Sequence, residues 1–312
     1  MSRTRYILYR TAWTALASIV VTGILFLVAR AAPDVSEVES TGLPALEIDN
    51  AFWDPADPLY LQYLDWVKSL LTLDWGRSLR FGDPVGGLIV ERAVVTAAYL
   101  LPALVFGITL ATLLGYTAAA TQGRWSDGLI RGLSYVVFAV PNFVLGIAVF
   151  RYITRQAYQI DAQFYTIEAG FSNRWNLFWL AAAGVILGTH VAAAQIRYVR
   201  AQSSELLSKK FIKTLRAKGR GTVGIARHVF KAGAASFASL FVAEVLGLLL
   251  VSVFVVEAVL AIPGLGALLW QAAAVNDVPV LLVTTWLVAM IVILANLAED
   301  LLAVALDPRI GD

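Results

Sequence analysis

Residues 278–298 read VPVLLVTTWLVAMIVILANLA, without one charged side chain. A helix rises about 1.5 Å per residue, so these positions span about 30 Å, the thickness of a bilayer's hydrocarbon core. Working outward from this run, five more are found at Thr11–Ala29, Ala93–Gly123, Gly132–Phe150, Trp175–Ile196 and Ala232–Val256. Glu244 is the only Asp, Glu, Lys or Arg in any of them. Composition agrees: 59% of the 312 residues are hydrophobic and 15% charged, and the mean hydropathy is +0.73. That charge is too sparse to cover a soluble surface. The expected fold is all-α and integral to a membrane, with six transmembrane helices and a multi-pass location in the cell membrane.

Charge placement suggests an orientation. With the N-terminus inside, the inner segments hold Arg3, Arg5, Arg10, Arg124, Arg131, Arg309 and the ten bases of 197–231, against eight on the outer side. The outer segments hold 15 of the 22 acids. Short basic loops stay in the cytoplasm, so both termini are expected there. The first run is longer than a signal peptide's apolar core and lacks a small-residue cleavage site, so it reads as an anchor. The outer stretch between the first two runs contains Leu59–Leu73, LYLQYLDWVKSLLTL. It suits a helix lying on the outer leaflet or capping the spans, or one that docks an external partner. The acidic segment 34–57 reads as a solvated loop.

The densest positive charge lies near TLRAKGRG, residues 214–221. On a helical wheel of 206–216, Leu207, Phe211, Ile212 and Leu215 share one arc, and Lys209, Lys210, Lys213 and Arg216 the opposite one. Leu206 violates the pattern. Gly219, Gly221 and Gly224 mark the helix stop. Such a helix fits anionic lipid and a protein partner equally well. Nucleic acid is excluded, because no folded soluble module presents the charge.

Several groups are absent. No G-x-x-x-x-G-K-[ST] phosphate loop occurs, so no ATP binding is expected on this chain. Two histidines and no cysteine make a poor zinc set, and neither a metal, a cofactor nor an enzymatic activity is expected. Ionisable groups in spans face cavities or partners. Glu244 is either a packed carboxyl or a polar point on a substrate path. His190 reads as an interior histidine, with the path as its other reading. Asn142 adjoins Pro141, which with Pro102 should interrupt its span; Asn142 and Asn296 are further path candidates. Asn296 and Asp300 sit one turn apart and suit bonds to neighbouring spans or to the basic loop.

Arg197-Tyr198-x-Arg200, Glu205, Thr214-x-Arg216-Ala217-Lys218-Gly219 and His228 resemble the cytoplasmic loop of ABC-importer permeases, most closely the dipeptide/oligopeptide/nickel group. Gln62-Tyr63-Leu64, Asp74-x-Gly76-Arg77-Ser78-Leu79, Glu91-Arg92, Pro141-x-Phe143-x-x-Gly146, Val256-Glu257, Pro263-Gly264-Leu265-Gly266, Asn296-Leu297-x-x-Asp300 and Asp307-Pro308-Arg309 are similar to the family's other segments, in order. The resemblance implies the type I importer permease fold. Its first helix and long extracytoplasmic segment would occupy 1–92, and the five-helix permease domain 93–312, with the coupling loop at 197–231. Glu205, Thr214, Arg216, Ala217, Lys218, Gly219 and His228 would couple to an ATPase. Glu257, Gly264, Gly266, Asp300 and Asp307 would be structural, Glu257 through a hydrogen bond near the PGLG turn. Leu215 stands where the family usually has alanine, and Lys210 where an acid is common, so the docking contacts differ in detail. Implied partners are a second permease subunit, two ATP-binding subunits carrying the ATP and magnesium, an extracytoplasmic solute-binding protein and the lipid bilayer. The implied substrate is a di- or oligopeptide, with nickel or an oligosaccharide within the same group. The rival reading is an ion-gradient-driven secondary transporter with Glu244 as its proton site, which would favour an inverted repeat that the chain does not display.

Overall fold

The computed structural model describes residues 3–31, 52, 56–78, 80–247 and 252–306, except for the side chains at 235, 240, 243–246 and 306. Among them the chain is helical throughout: α1 Arg3–Ala31, α2 Leu59–Thr72, α3 Val85–Ala120, α4 Trp125–Ala139, α5 Asn142–Ile160, α6 Arg174–Ser208, α7 Lys210–Ala217, α8 Thr222–Ala232, α9 Ala234–Gly247, α10 Val253–Leu260, α11 Leu265–Ala274 and α12 Val278–Leu306. Four of these (α1, α3, α6 and α12) are long and apolar enough to cross a membrane, and the number reaches six if the broken pairs α4–α5 and α10–α11 each count as one span.

Of the two prolines expected to interrupt spans, Pro141 does so and Pro102 does not. The run Gly132–Phe150 is two helices bent by 75°. Proline disfavours the α conformation in the residue before it, and Val140 is extended, at φ −87° and ψ 113°. Pro141 then serves as N-cap of α5. Pro102, by contrast, interrupts nothing: α3 runs through it for 36 residues. A proline removes one i→i−4 hydrogen bond, and the rest of this long helix carries the chain across. The run Ala232–Val256 maps onto α9 and part of α10, and positions 248–251 between them lie outside the described residues.

The chain divides into two compact units. The first comprises residues 1–7, 97–262 and 295–312. Its hub is α6, which packs against α4, α5, α7, α8, α9 and α10. Ala183, Leu187, Val191 and Val199 of α6 are fully buried. Close approach of α3 and α6 depends on glycine. A Cβ at Gly107 would lie 2.7 Å from the Gly188 carbonyl oxygen, and one at Gly188 would lie 2.9 Å from that of Ala103. Small residues let membrane helices touch in this way where no hydrophobic force separates helix from lipid.

The second unit comprises residues 8–96 and 263–294. Here α2 does not lie free on a surface. Trp66 and Leu70 are buried with Phe26, Trp75, Val85, Ile89, Leu268, Ala272 and Val283, so α2 caps apolar helices with one face. The acidic segment 34–57 falls almost wholly outside the described residues. The PGLG turn leads into α11, a helix that the turn motif did not announce. Gly264 is its N-cap, and the Leu265 N–H donates to Thr96 Oγ1 at 2.9 Å. Ser78 donates to the buried Asp277 carboxylate, and Arg80 Nε to the Val275 carbonyl at 2.9 Å.

Candidate functional site

The basic segment grows out of the hub helix. α6 starts at Asn173, whose side chain accepts from the Trp175 and Asn176 N–H groups at 2.8 and 3.2 Å. Such a cap satisfies donors that the first turn leaves orphaned. Residues 197–208, part of the expected loop, continue this helix to Ser208. Lys209 then leaves helical geometry, at φ −65° and ψ 151°, and α7 begins. The break corrects the single helix drawn over 206–216 and explains the misfit of Leu206, which belongs to α6 and not to α7.

What holds α7 in place is a small core of Leu206, Ile212, Ile225 and Val229, with Tyr116, Leu207 and Leu215 packed on it. Ile212 is completely buried. Phe211, expected in the same arc, instead faces outward at 38% exposure. From this core an aromatic row continues: Tyr116 to Phe230 at 5.5 Å and Phe230 to Phe237 at 5.5 Å, ring centre to ring centre. The short helix is thereby fixed to α3, α6, α8 and α9.

The end of α7 is closed by Gly219. Its φ is +73°, a region in which other residues are strained. It turns the Arg220 N–H back to the Leu215 carbonyl at 3.1 Å, just past the Lys218 and Gly219 N–H groups, which reach those of Thr214 and Arg216 at 3.0 and 2.9 Å. Gly221 is the N-cap of α8. Gly224 lies inside α8 and not at the stop, a correction to the glycine cluster.

Thr214, Arg216, Ala217, Lys218 and Gly219 are all exposed, as are Lys210, Lys213, Arg220 and Arg227. Two apolar side chains stand among them, Phe211 and Val223. Glu205, also exposed, accepts from Lys209 Nζ at 2.7 Å. Half-buried His228 places Nδ1 2.8 Å from the Gly224 carbonyl.

A second polar group ties α4 to α6. Arg200 donates to Asp127 through Nε at 2.6 Å and Nη2 at 2.9 Å, a two-pronged match of guanidinium to carboxylate. The Gly123 N–H adds a bond at 3.2 Å, and Arg131 lies 3.4 Å away. Asp127 precedes the apolar run that starts at Gly132. Its carboxyl is held down at about 2, first by the Arg200 hydrogen bonds. Sequence reading missed Asp127. Its partner is 73 positions away, and only an acid at the foot of an apolar run hinted at it.

The remaining candidates are dispersed. Asn142 is buried at the start of α5. His190 stacks on Phe138 with ring centres 5.4 Å apart. Glu257 is fully buried and accepts from Tyr99 Oη at 2.6 Å. Asp300 accepts from Tyr6 Oη at 3.3 Å, tying α12 to α1. Asn296 is exposed on α12, and Gly266 is buried in the first turn of α11. The Glu244 side chain and Asp307 lie outside the described residues. No group of three potential metal ligands occurs among the described residues.

Helices long and apolar enough to cross a membrane, with a basic short helix clamped to α3, α6 and α8, fit a multi-pass membrane protein. The family described as "binding-protein-dependent transport system inner membrane component" matches residues 107–312, and the chain belongs to it. The chain is 30% identical over 260 residues to the oligopeptide transport system permease protein AppB of Bacillus subtilis, covering 81% of each. It is 27% identical over 310 residues to the dipeptide transport system permease protein DppB of Lactococcus lactis, covering 98% of this chain and 99% of that one. With the glutathione transport system permease protein GsiC of Escherichia coli K12 the identity is 29% over 262 residues, covering 81% and 80%. The protein is a permease of a binding-protein-dependent ABC importer and resides in the inner membrane.

Proposed function

We propose that this chain forms half of a translocation pathway for di- or oligopeptides and takes its energy from a separate ATPase through α7. The observation that carries the reading is the clamping of α7. Ile212 is completely buried beneath it, while Thr214, Arg216, Lys218 and Gly219 are presented outward. A partner can bias a two-state equilibrium only through its different affinity for the two states, and a link that slipped would lose that difference. The peptide substrate is suggested by relatives named for oligopeptide and dipeptide transport.

In this reading six spans, at the six uncharged or nearly uncharged runs, lead from a cytoplasmic N-terminus to a cytoplasmic C-terminus. Residues 1–92 supply the first helix and the outer segment, and 93–312 the permease domain. A second permease subunit, two ATP-binding subunits and an extracytoplasmic solute-binding protein complete the assembly. ATP and magnesium sit on the ATP-binding subunits, and this chain binds no cofactor. Glu205 and His228 steady the coupling segment, and Asn142, His190, Glu244 and Asn296 are candidates for the path. Glu257, Gly264, Gly266, Asp300 and Asp307 keep structural roles.

The test is peptide uptake by vesicles holding the co-purified assembly and its binding protein. Uptake driven by ATP after the proton gradient is collapsed, and abolished by Arg216→Glu without loss of the protein from the membrane, is the expected result. Uptake that needs the gradient and is indifferent to ATP would overturn it in favour of a carrier using Glu244.

A further inference from the structure

We propose that Arg197 anchors a binding site for the phosphate of an anionic phospholipid, at the end of the α4–α6 seam. Arg197 is the first residue after the uncharged run Trp175–Ile196. At about 1.5 Å per residue that run is about 33 Å long, close to the roughly 30 Å of hydrocarbon in a bilayer. The guanidinium therefore falls at headgroup depth. It is half-buried, and its Cζ lies 4.3 Å from the Phe138 ring centre and 5.6 Å from that of Tyr135.

Ring faces fix a cation's position without cancelling its charge. Nε of Arg197 is buried and has no hydrogen-bond partner, and among the described residues no carboxylate pairs with it. Asp127, the acid of this seam, is occupied by Arg200, Arg131 and the Gly123 N–H. Glu205, the next acid along α6, is engaged by Lys209. Arg200 and Arg131 thus share the one carboxylate of this seam, and Arg197, with its Nε buried, is left without a counter-charge there, a costly state for a partly buried cation.

A planar guanidinium fork matches phosphate oxygens. Tyr135 and Phe138 stand exposed beside it, at 54% and 39%, and aromatic rings settle at the level of headgroups. The outward face of α4 carries Leu129, Leu133 and Val136. These offer apolar surface to acyl chains and no hydrogen bond to a peptide. Lipid is therefore the occupant the observations favour over the carboxylate of a passing substrate.

Native mass spectrometry of the full chain, released from detergent and titrated with phosphatidylglycerol or phosphatidylcholine, tests the site. Wild-type protein should retain one phosphatidylglycerol that Arg197→Gln does not, with affinity at that site falling tenfold or more. Phosphatidylcholine should not compete, and Arg174→Gln, which removes an exposed arginine at the other end of α6, should bind as wild type does. Equal retention by wild type and Arg197→Gln, or equal binding of the two lipids, would overturn the site. So would an unchanged lipid count with weakened binding of a peptide bearing a free, but not an amidated, C-terminus. If Arg197→Gln does not fold, Arg197→Lys decides. It keeps the charge and loses the fork, so retained lipid at weakened affinity supports the site and wild-type affinity refutes it.

Discussion

Gly219 and Ile212 show how much a single residue contributes to the basic segment. Around Gly219 there is open space for a Cβ, and only its φ of +73° demands glycine. Gly219→Ala should therefore cost about 1 kcal/mol of local backbone strain and fray the end of α7, reducing ATP-driven uptake several-fold. Gly221→Ala is the control: it has equally open space and an ordinary φ of −69°, so uptake should be unchanged. Equal uptake by all three proteins would remove the backbone argument. Ile212→Ala empties a fully enclosed site, for which about 2–5 kcal/mol is usual. Hydrogen exchange over 210–217 should rise in that variant while the protein still reaches the membrane. The wheel placed Ile212 on the apolar arc correctly and Phe211 incorrectly. It assumed one continuous helix, whereas the chain breaks at Lys209, and of the arc's later side chains Phe211 alone turns outward.

At the scale of elements, the pairing of α4 with α6 rests on Asp127 and Arg200. Removing one member of a buried pair costs about 3–5 kcal/mol, and Arg200 retains 19% exposure, so Asp127→Ala should fall near the lower end of that range. A thermal melt of the detergent-solubilised protein measures it. The pH dependence follows from a carboxyl lowered from 3.8 to about 2. A lowered carboxyl stabilises the fold above its unfolded value and loses that contribution as pH falls toward its folded value. The gap between wild type and variant should therefore stay constant from pH 6 to 8 and narrow only below about pH 4. A gap that changes between pH 6 and 8 would assign the effect to another group. The bend at Pro141 was foreshadowed by residue type alone. That Pro102 would be absorbed was not, because helix length and packing decide whether one missing hydrogen bond breaks a helix.

For the whole molecule, the proposed coupling segment lies in one compact unit and the core around Trp66 in the other, so the stability of that core and the proposed coupling should separate. Trp66 is completely buried among Phe52, Leu70, Trp75 and Leu268, and none of the cluster lies between 197 and 232. Trp66→Ala should cost about 3–5 kcal/mol, seen as a lower melting temperature. The membrane fraction that survives should still co-purify the ATPase at the wild-type ratio. Loss of the ATPase in proportion to the melting shift would refute that separation.

By itself, the sequence determined that this chain is a helical membrane protein of an importer family. Bilayer thickness fixes how long an uncharged run must be, and that length is written locally, as are the loop motifs with their glycines. Only the tertiary structure decided that Pro102 leaves its helix unbroken, which face of α7 is buried, and that Asp127 meets Arg200. Each of those depends on partners tens of residues away, and side-chain burial is set by what packs opposite, not by spacing along the chain.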